Sequence, residues 1–184
     1  MESKMTTLEF SQTLKIDHIP ERQILERELT ANEEERKDLA KRFNILSIEA
    51  LTASLSVTKE RSGIVVKCIG TIDAKVTQAC IITLKDVPEV ISTKFESYFT
   101  TEAKQHEEEP GLEVIMPSET EEPEYIHDGQ IDLGELVAQH LSLSLNSYPK
   151  AEGADTKEEL EKNGIKDERT NPFSVLKDLN KDKT

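Results

Sequence analysis

Cys68 and Cys80 are the only thiols in the 184 residues, and a thiolate is both a nucleophile and a soft metal ligand. Zinc would need further nitrogen or carboxylate ligands, and none of the four histidines stands at finger-like spacing to either cysteine. Each lies in an apolar or alternating segment with no helix terminus beside it to lower its pKa. The pair therefore reads as small buried hydrophobes in a reducing compartment, with no metal and no cofactor. Asp132 and Glu135 could be paired acid–base carboxylates, but their three-residue spacing fits a helix start better, where each serves an orphan N–H. Removing Asp132 should cost about 1 kcal/mol. Lys59, Arg61, Lys67, Lys75 and Lys85 follow one another along an alternating region and offer a modest strip for phosphate. The strip lacks the interleaved aromatics of a single-strand reader. Gln78 offers an amide to RNA or, more simply, to the backbone of a turn. His140 lies on an apolar helix face and reads as a packed or rim residue rather than a ligand, while His106 and His127 sit in an acidic stretch. There is no glycine-rich phosphate loop, nucleophile elbow or H-E-x-x-H pattern. These residues favour contacts over chemistry, and no enzyme and no small-molecule substrate are expected.

The elements that must hold them are legible from periodicity. Leu8, Phe10, Gln12, Leu14 and Ile16 alternate with polar residues, a half-buried strand ending before Pro20. Residues 21–29 fit either a short strand or a helical lead-in. Thr30-Ala31-Asn32-Glu33 reads as a capping box opening a charged surface helix that docks through Leu39, Ala40 and Phe43. Leu51, Ala53, Leu55 and Val57 alternate with Thr52, Ser54, Ser56 and Thr58. After a Ser62-Gly63 turn, Ile64, Val66, Cys68, Gly70, Ile72, Ala74 and Val76 form the inward set of a second strand whose wet face carries Lys67, Thr71, Asp73, Lys75 and Thr77. Gly70, mid-strand, predicts a bulge by default, or else a close approach of another backbone. Cys80–Leu84 reads as a further short strand, and Val90–Phe99 as strand rather than helix. Leu133, Leu136, Val137, His140, Leu141, Ser144 and Leu145 then fall on one side of a helix that Asn146–Pro149 stops.

Composition sets the limits. Apolar residues make up 35% and charged residues 33% of the chain, which suits one modest core with polar appendages. The net charge of −14 is uneven: residues 101–128 hold ten acids and one base. That stretch predicts a mobile acidic loop, with only Leu112–Met116 as an apolar island. No secretory signal is visible and no run of about eighteen apolar residues occurs, so no membrane contact and a cytoplasmic address are expected. Beyond residue 149 the chain is linker-like until Asn171-Pro172-Phe173, where Phe173, Leu176 and Leu179 could form a small docking stripe.

Three pieces in order resemble the YceD family, the large ribosomal RNA subunit accumulation proteins. The first is Cys68-Ile69-Gly70 with Ala74, Val76, Gln78 and Cys80-Ile81-Ile82-Thr83-Leu84, similar to a strand pair ending in Q-x-C-x-x-T-L. The second is Ile131-Asp132-Leu133-Gly134-Glu135-Leu136-Val137 running to Leu145. The third is Tyr148-Pro149, and Asn171-Pro172-Phe173 is similar to the tail of many members. His140 and Asn146-Ser147 depart from the usual pattern. The resemblance implies a role in accumulation or processing of 23S ribosomal RNA, with large-subunit RNA, a ribosomal protein or an assembly factor as partner. It implies no catalytic activity.

The expectation is an α+β domain over residues 1–149: an antiparallel, curved sheet packed by two helices near 31–43 and 132–146. A long acidic loop (101–130) projects from it, and a flexible C-terminal tail (150–184) carries a short docking helix at 171–179. The function expected is a non-enzymatic factor for 23S rRNA accumulation and large-subunit assembly. The alternative is an adaptor that docks a ribosomal protein or assembly enzyme without touching RNA.

Overall fold

The computed structural model describes residues 9–60, 65–101 and 123–164. Five strands build the main sheet in the order β2-β3-β4-β5-β6: β2 (Leu25–Thr30), β3 (Ser47–Glu60), β4 (Val65–Ala79), β5 (Asp86–Thr100) and β6 (Glu124–Tyr125). Each pairing is antiparallel except β5 with β6, which is parallel. Helix α1 (Glu33–Phe43) follows β2, α2 (Leu133–Ser144) follows the last strand, and α3 (Thr156–Lys162) lies beyond it. The α+β class with a mostly antiparallel sheet is as the alternation implied.

The alternation decides which face is buried. Leu51, Ala53, Leu55 and Val57 of β3 and Val66, Cys68, Ile72, Ala74 and Val76 of β4 all point into one core. From α2, Leu133, Leu136, Val137 and Leu141 close that core as a lid, each apolar side chain contributing about 1.5–3 kcal/mol by leaving water. Phe10, Leu14 and Ile19 plug its end near the N-terminal segment, and Leu39 and Ala40 dock α1. The opposite face of the sheet stays wet. Among the described residues, no helix is long and apolar enough to cross a membrane.

Several elements depart from expectation, each for a local reason. The N-terminal strand is shorter and belongs elsewhere: β1 (Thr13–Lys15) pairs with β7 (Gln130–Asp132) in a separate two-stranded sheet, Leu14 opposite Ile131. The first hundred residues therefore do not make one sheet, and β2 is the main sheet's edge. The helix box shifts by two residues, because Thr30 is still paired with Thr52 in β2. Asn32 caps α1 instead, accepting from the Glu34 and Glu35 N–H groups at 2.9 and 3.1 Å while Glu35 accepts from the Asn32 N–H at 2.7 Å. Gly70 makes no bulge: it pairs regularly with Leu55 and Phe95. A Cβ there would meet the Phe95 ring at 2.3 Å, so glycine makes room for an aromatic from the neighbouring strand. The sheet's irregularity lies instead between Ile48 and Ala50.

Cys80–Leu84 is a tight turn rather than a strand, closed by Cys80 N–H to the Lys85 carbonyl (2.8 Å) and Leu84 N–H to the Cys80 carbonyl (2.9 Å). At the end of the acidic stretch, Glu124–Tyr125 is strand and Ile126 is buried, and α3 forms within the expected linker. The Ser62-Gly63 turn, Leu112–Met116 and the 171–179 peptide lie outside the described residues.

Candidate functional site

Strand parity separates the lysines that the sequence lists in a row. Lys67 and Lys75 share the wet face of β4, but they stand eight positions, about 26 Å of strand, apart. Lys59 pairs with Val66, whose side chain points inward, so it belongs to the other face of the sheet. Lys85 lies in the turn after β4, and Arg61 falls outside the described residues. Lys94 of β5, opposite Thr71, joins Lys67 and Lys75 on the wet face; its parity against buried Phe95 was the signal for it. Carboxylates are interspersed. Lys67 Nζ is 2.9 Å from Glu96 and 5.2 Å from the Tyr98 ring centroid, and the Tyr98 hydroxyl also donates to Glu96. The Glu96 carboxylate, and after it the Tyr98 hydroxyl, holds the Lys67 ammonium above its ordinary pKa, and Tyr98 and Lys67 together hold Glu96 below its own. Glu26, Glu28 and Asp73 sit on the same face by register. On this face the four carboxylates outnumber the three lysines.

Gln78 is buried, and its Nε2 donates to the Asn146 carbonyl at 3.0 Å, tying the end of β4 to the end of α2. Cys68 is wholly buried in the core, and burial pushes its thiol up to about 12. Cys80 differs. Its Sγ accepts the N–H groups of Ile82 (3.4 Å), Thr83 (3.4 Å) and Ala151 (3.3 Å). Donors aimed at the sulfur favour the thiolate, so its pKa falls to about 6, led by the Ala151 N–H and then the Thr83 hydroxyl. By geometry Thr83 Oγ1 has no hydrogen-bond partner among the described residues, so the three N–H groups are the bonds that hold the sulfur. The expectation that nothing would lower a thiol pKa fails here, because Ala151 comes from a segment remote in sequence. Both thiols are free.

The motif around α2 is structural in a specific way. Asp132 caps the helix through the Gly134 and Glu135 N–H groups at 2.9 and 3.1 Å, and the same oxygen accepts the Gln12 N–H at 2.9 Å. The Ser11 hydroxyl donates to its second oxygen. One carboxylate thus starts α2 and anchors the N-terminal segment. Gly134 lets that segment approach, since a Cβ would meet the Phe10 carbonyl at 2.5 Å. Glu135 does not close a box; it takes a two-pronged contact from Arg42 at 2.6 and 2.7 Å. Glu135, with help from Glu9, holds the Arg42 guanidinium above its usual pKa. His140 stacks on Phe95 with ring centroids 4.0 Å apart, its Nε2 3.0 Å from Ser97 Oγ. Leu133 is core, while Tyr148 is exposed beside Pro149, whose carbonyl accepts the Ile81 N–H at 2.9 Å. Phe173, Leu176 and Leu179 lie outside the described residues. Among the described residues, no three His, Cys, Asp or Glu groups gather as metal ligands would.

Gln78, Cys80 and Tyr148-Pro149 of the family motifs thus meet where the turn after β4 joins the end of α2 and the segment after it, while Asp132, Leu133, Gly134 and Glu135 lie at the start of α2 and Cys68 and Gly70 within β4. No curated protein and no solved structure matches the chain. Residues 69–180 match the family model described as Large ribosomal RNA subunit accumulation protein YceD. That stretch is more than half of the 184 residues and spans the joined motifs, and the chain therefore belongs to the YceD family.

Proposed function

We propose that this protein is a non-enzymatic factor for the accumulation and processing of 23S ribosomal RNA during large-subunit assembly. The family match carries the reading. The placement of reactive side chains supports a role in holding rather than transforming. Cys68 is core, Asp132 is a cap, Glu135 is paired with Arg42 and Cys80 is an acceptor inside a turn. Depleting the protein is expected to raise 23S precursors and lower free large subunits on gradients. Unchanged precursor and mature 23S RNA with normal subunit profiles would refute it.

A second reading is an adaptor that docks a ribosomal protein or assembly enzyme, with its effects on RNA indirect. The wet face favours it, since its carboxylates outnumber its lysines and, Glu96 above all, compete with phosphate for them. Direct contact predicts RNA adducts at Lys67, Lys75 and Lys94 on cross-linking in cells. An adaptor yields protein adducts alone.

A further inference from the structure

The turn after β4 places large apolar side chains in water. Leu84 is 77% exposed, Tyr148 76% and Ile81 55%. Leu84 also adopts a left-handed φ of 58°, a conformation that L-residues other than Asn and Asp rarely visit. Glycine or asparagine would sit there without strain and without exposing a hydrocarbon. Folding alone gives no reason for leucine, and strain kept at an exposed position points to use.

The backbone beneath is fixed. Besides the two bonds that close the turn, Ile81 N–H donates to the Pro149 carbonyl at 2.9 Å and Ala151 N–H to Cys80 Sγ at 3.3 Å. Tyr148 is oriented by its own N–H donating to Asn146 Oδ1 at 2.9 Å. Two segments remote in sequence are thus clasped by one backbone pair and one backbone-to-sulfur bond, and little ordering is left to a partner.

The surroundings are acidic. Residues 80–89 and 148–162, the clasp and the adjoining α3, hold four lysines against seven carboxylates. Glu152, Asp155, Glu158 and Glu159 line a small hollow with Thr83 and Lys85, and Lys162 is paired with Glu159 at 2.9 Å. Such a rim repels phosphate and attracts a cationic polypeptide.

We propose that Ile81, Leu84 and Tyr148 form a docking tip for a basic protein segment that seats an apolar side chain on it while the rim carboxylates receive its lysines or arginines. The proposal rests on the assembly-factor reading and names the partner class. The test uses the full chain with photo-reactive p-benzoylphenylalanine in place of Leu84. It is irradiated separately with large-subunit proteins freed of RNA and with large-subunit RNA freed of protein. The expected result is adducts with one or a few basic proteins, reduced about tenfold by Ile81→Ser and weakened in about 0.5 M salt, with none on RNA. RNA adducts alone, protein adducts indifferent to Ile81→Ser, or no adducts would overturn it.

Leu84→Gly guards against misfolding as an explanation, because it removes the side chain and relieves the backbone; it should melt no lower than the parent and still restore 23S RNA poorly in depleted cells. Full restoration by Ile81→Ser/Leu84→Gly/Tyr148→Ser sinks the tip and leaves the assembly role standing. Depletion without any change in 23S RNA sinks that role instead.

Discussion

A sulfur inside a turn, a glycine inside a strand and a leucine at positive φ each set a local free-energy balance. Cys80 Sγ accepts three N–H groups in the folded chain, and its pKa of about 6 lies below the ordinary value of 9.0. A depressed acid stabilises the fold above its unfolded pKa and loses that contribution as pH falls through the folded one. The stability difference between the parent and Cys80→Ala should therefore grow from about pH 6 to about pH 9, read from melting curves across that range. A flat difference would mean that the sulfur stays protonated. Gly70→Ala sets a gain of about 0.5–1 kcal/mol from a stiffer strand against a Cβ 2.3 Å from the Phe95 ring. The ring is packed, so the clash wins and a net loss of about 1–3 kcal/mol is expected in denaturant unfolding. Leu84→Gly should do the reverse and stabilise by about 1 kcal/mol, because the φ of 58° suits glycine.

Between elements, Arg42 joins the two helices directly. It reaches from the last turn of α1 to Glu135 in the first turn of α2 and to Glu9 at 3.3 Å. Its side chain is only 34% exposed and that of Glu135 18%, so the forked pair is worth more than an open surface bridge. A double-mutant cycle with Arg42→Ala and Glu135→Ala should give about 1 kcal/mol of coupling that shrinks with added salt. No coupling would mean that α1 is placed by Leu39 and Ala40 alone. Which elements the sequence revealed follows from the range of the forces that make them. Strands β3, β4 and β5 and helix α2 were legible because burial on one face writes a period into local sequence. The β1–β7 pair was not, since Thr13 and Asp132 meet only in the folded chain. Nor was the Cys80 clasp, whose decisive donor is Ala151. The lysine row misled for a related reason: parity and strand length, not sequence order, decide which cations share a surface.

At the scale of the whole molecule, one face of the sheet is lidded and the other is open, and charge is distributed separately from both. Segment 102–122 holds eight acids and one base, half of the net −14. Its anchors are described: Phe99 pairs with Glu124 and Thr100 with Tyr125, in parallel. The connection therefore has to turn back by only a few residues, and about eight Gly/Ser residues would span it. Shortening a flexible connection to less than half its length would gain about 0.6–1 kcal/mol of closure entropy, and removing net charge lowers self-repulsion in the same direction. Replacing 102–122 in this way should leave the melting temperature equal or slightly higher and move elution from an anion exchanger to much lower salt. A basic partner would then associate more slowly at low ionic strength, with the difference vanishing as salt is added, because steering depends on the long-range field and not on contacts at the tip. A fall in stability of more than about 2 kcal/mol would assign part of the core to that segment, since an acidic insertion acting only through its field has no packing to lose.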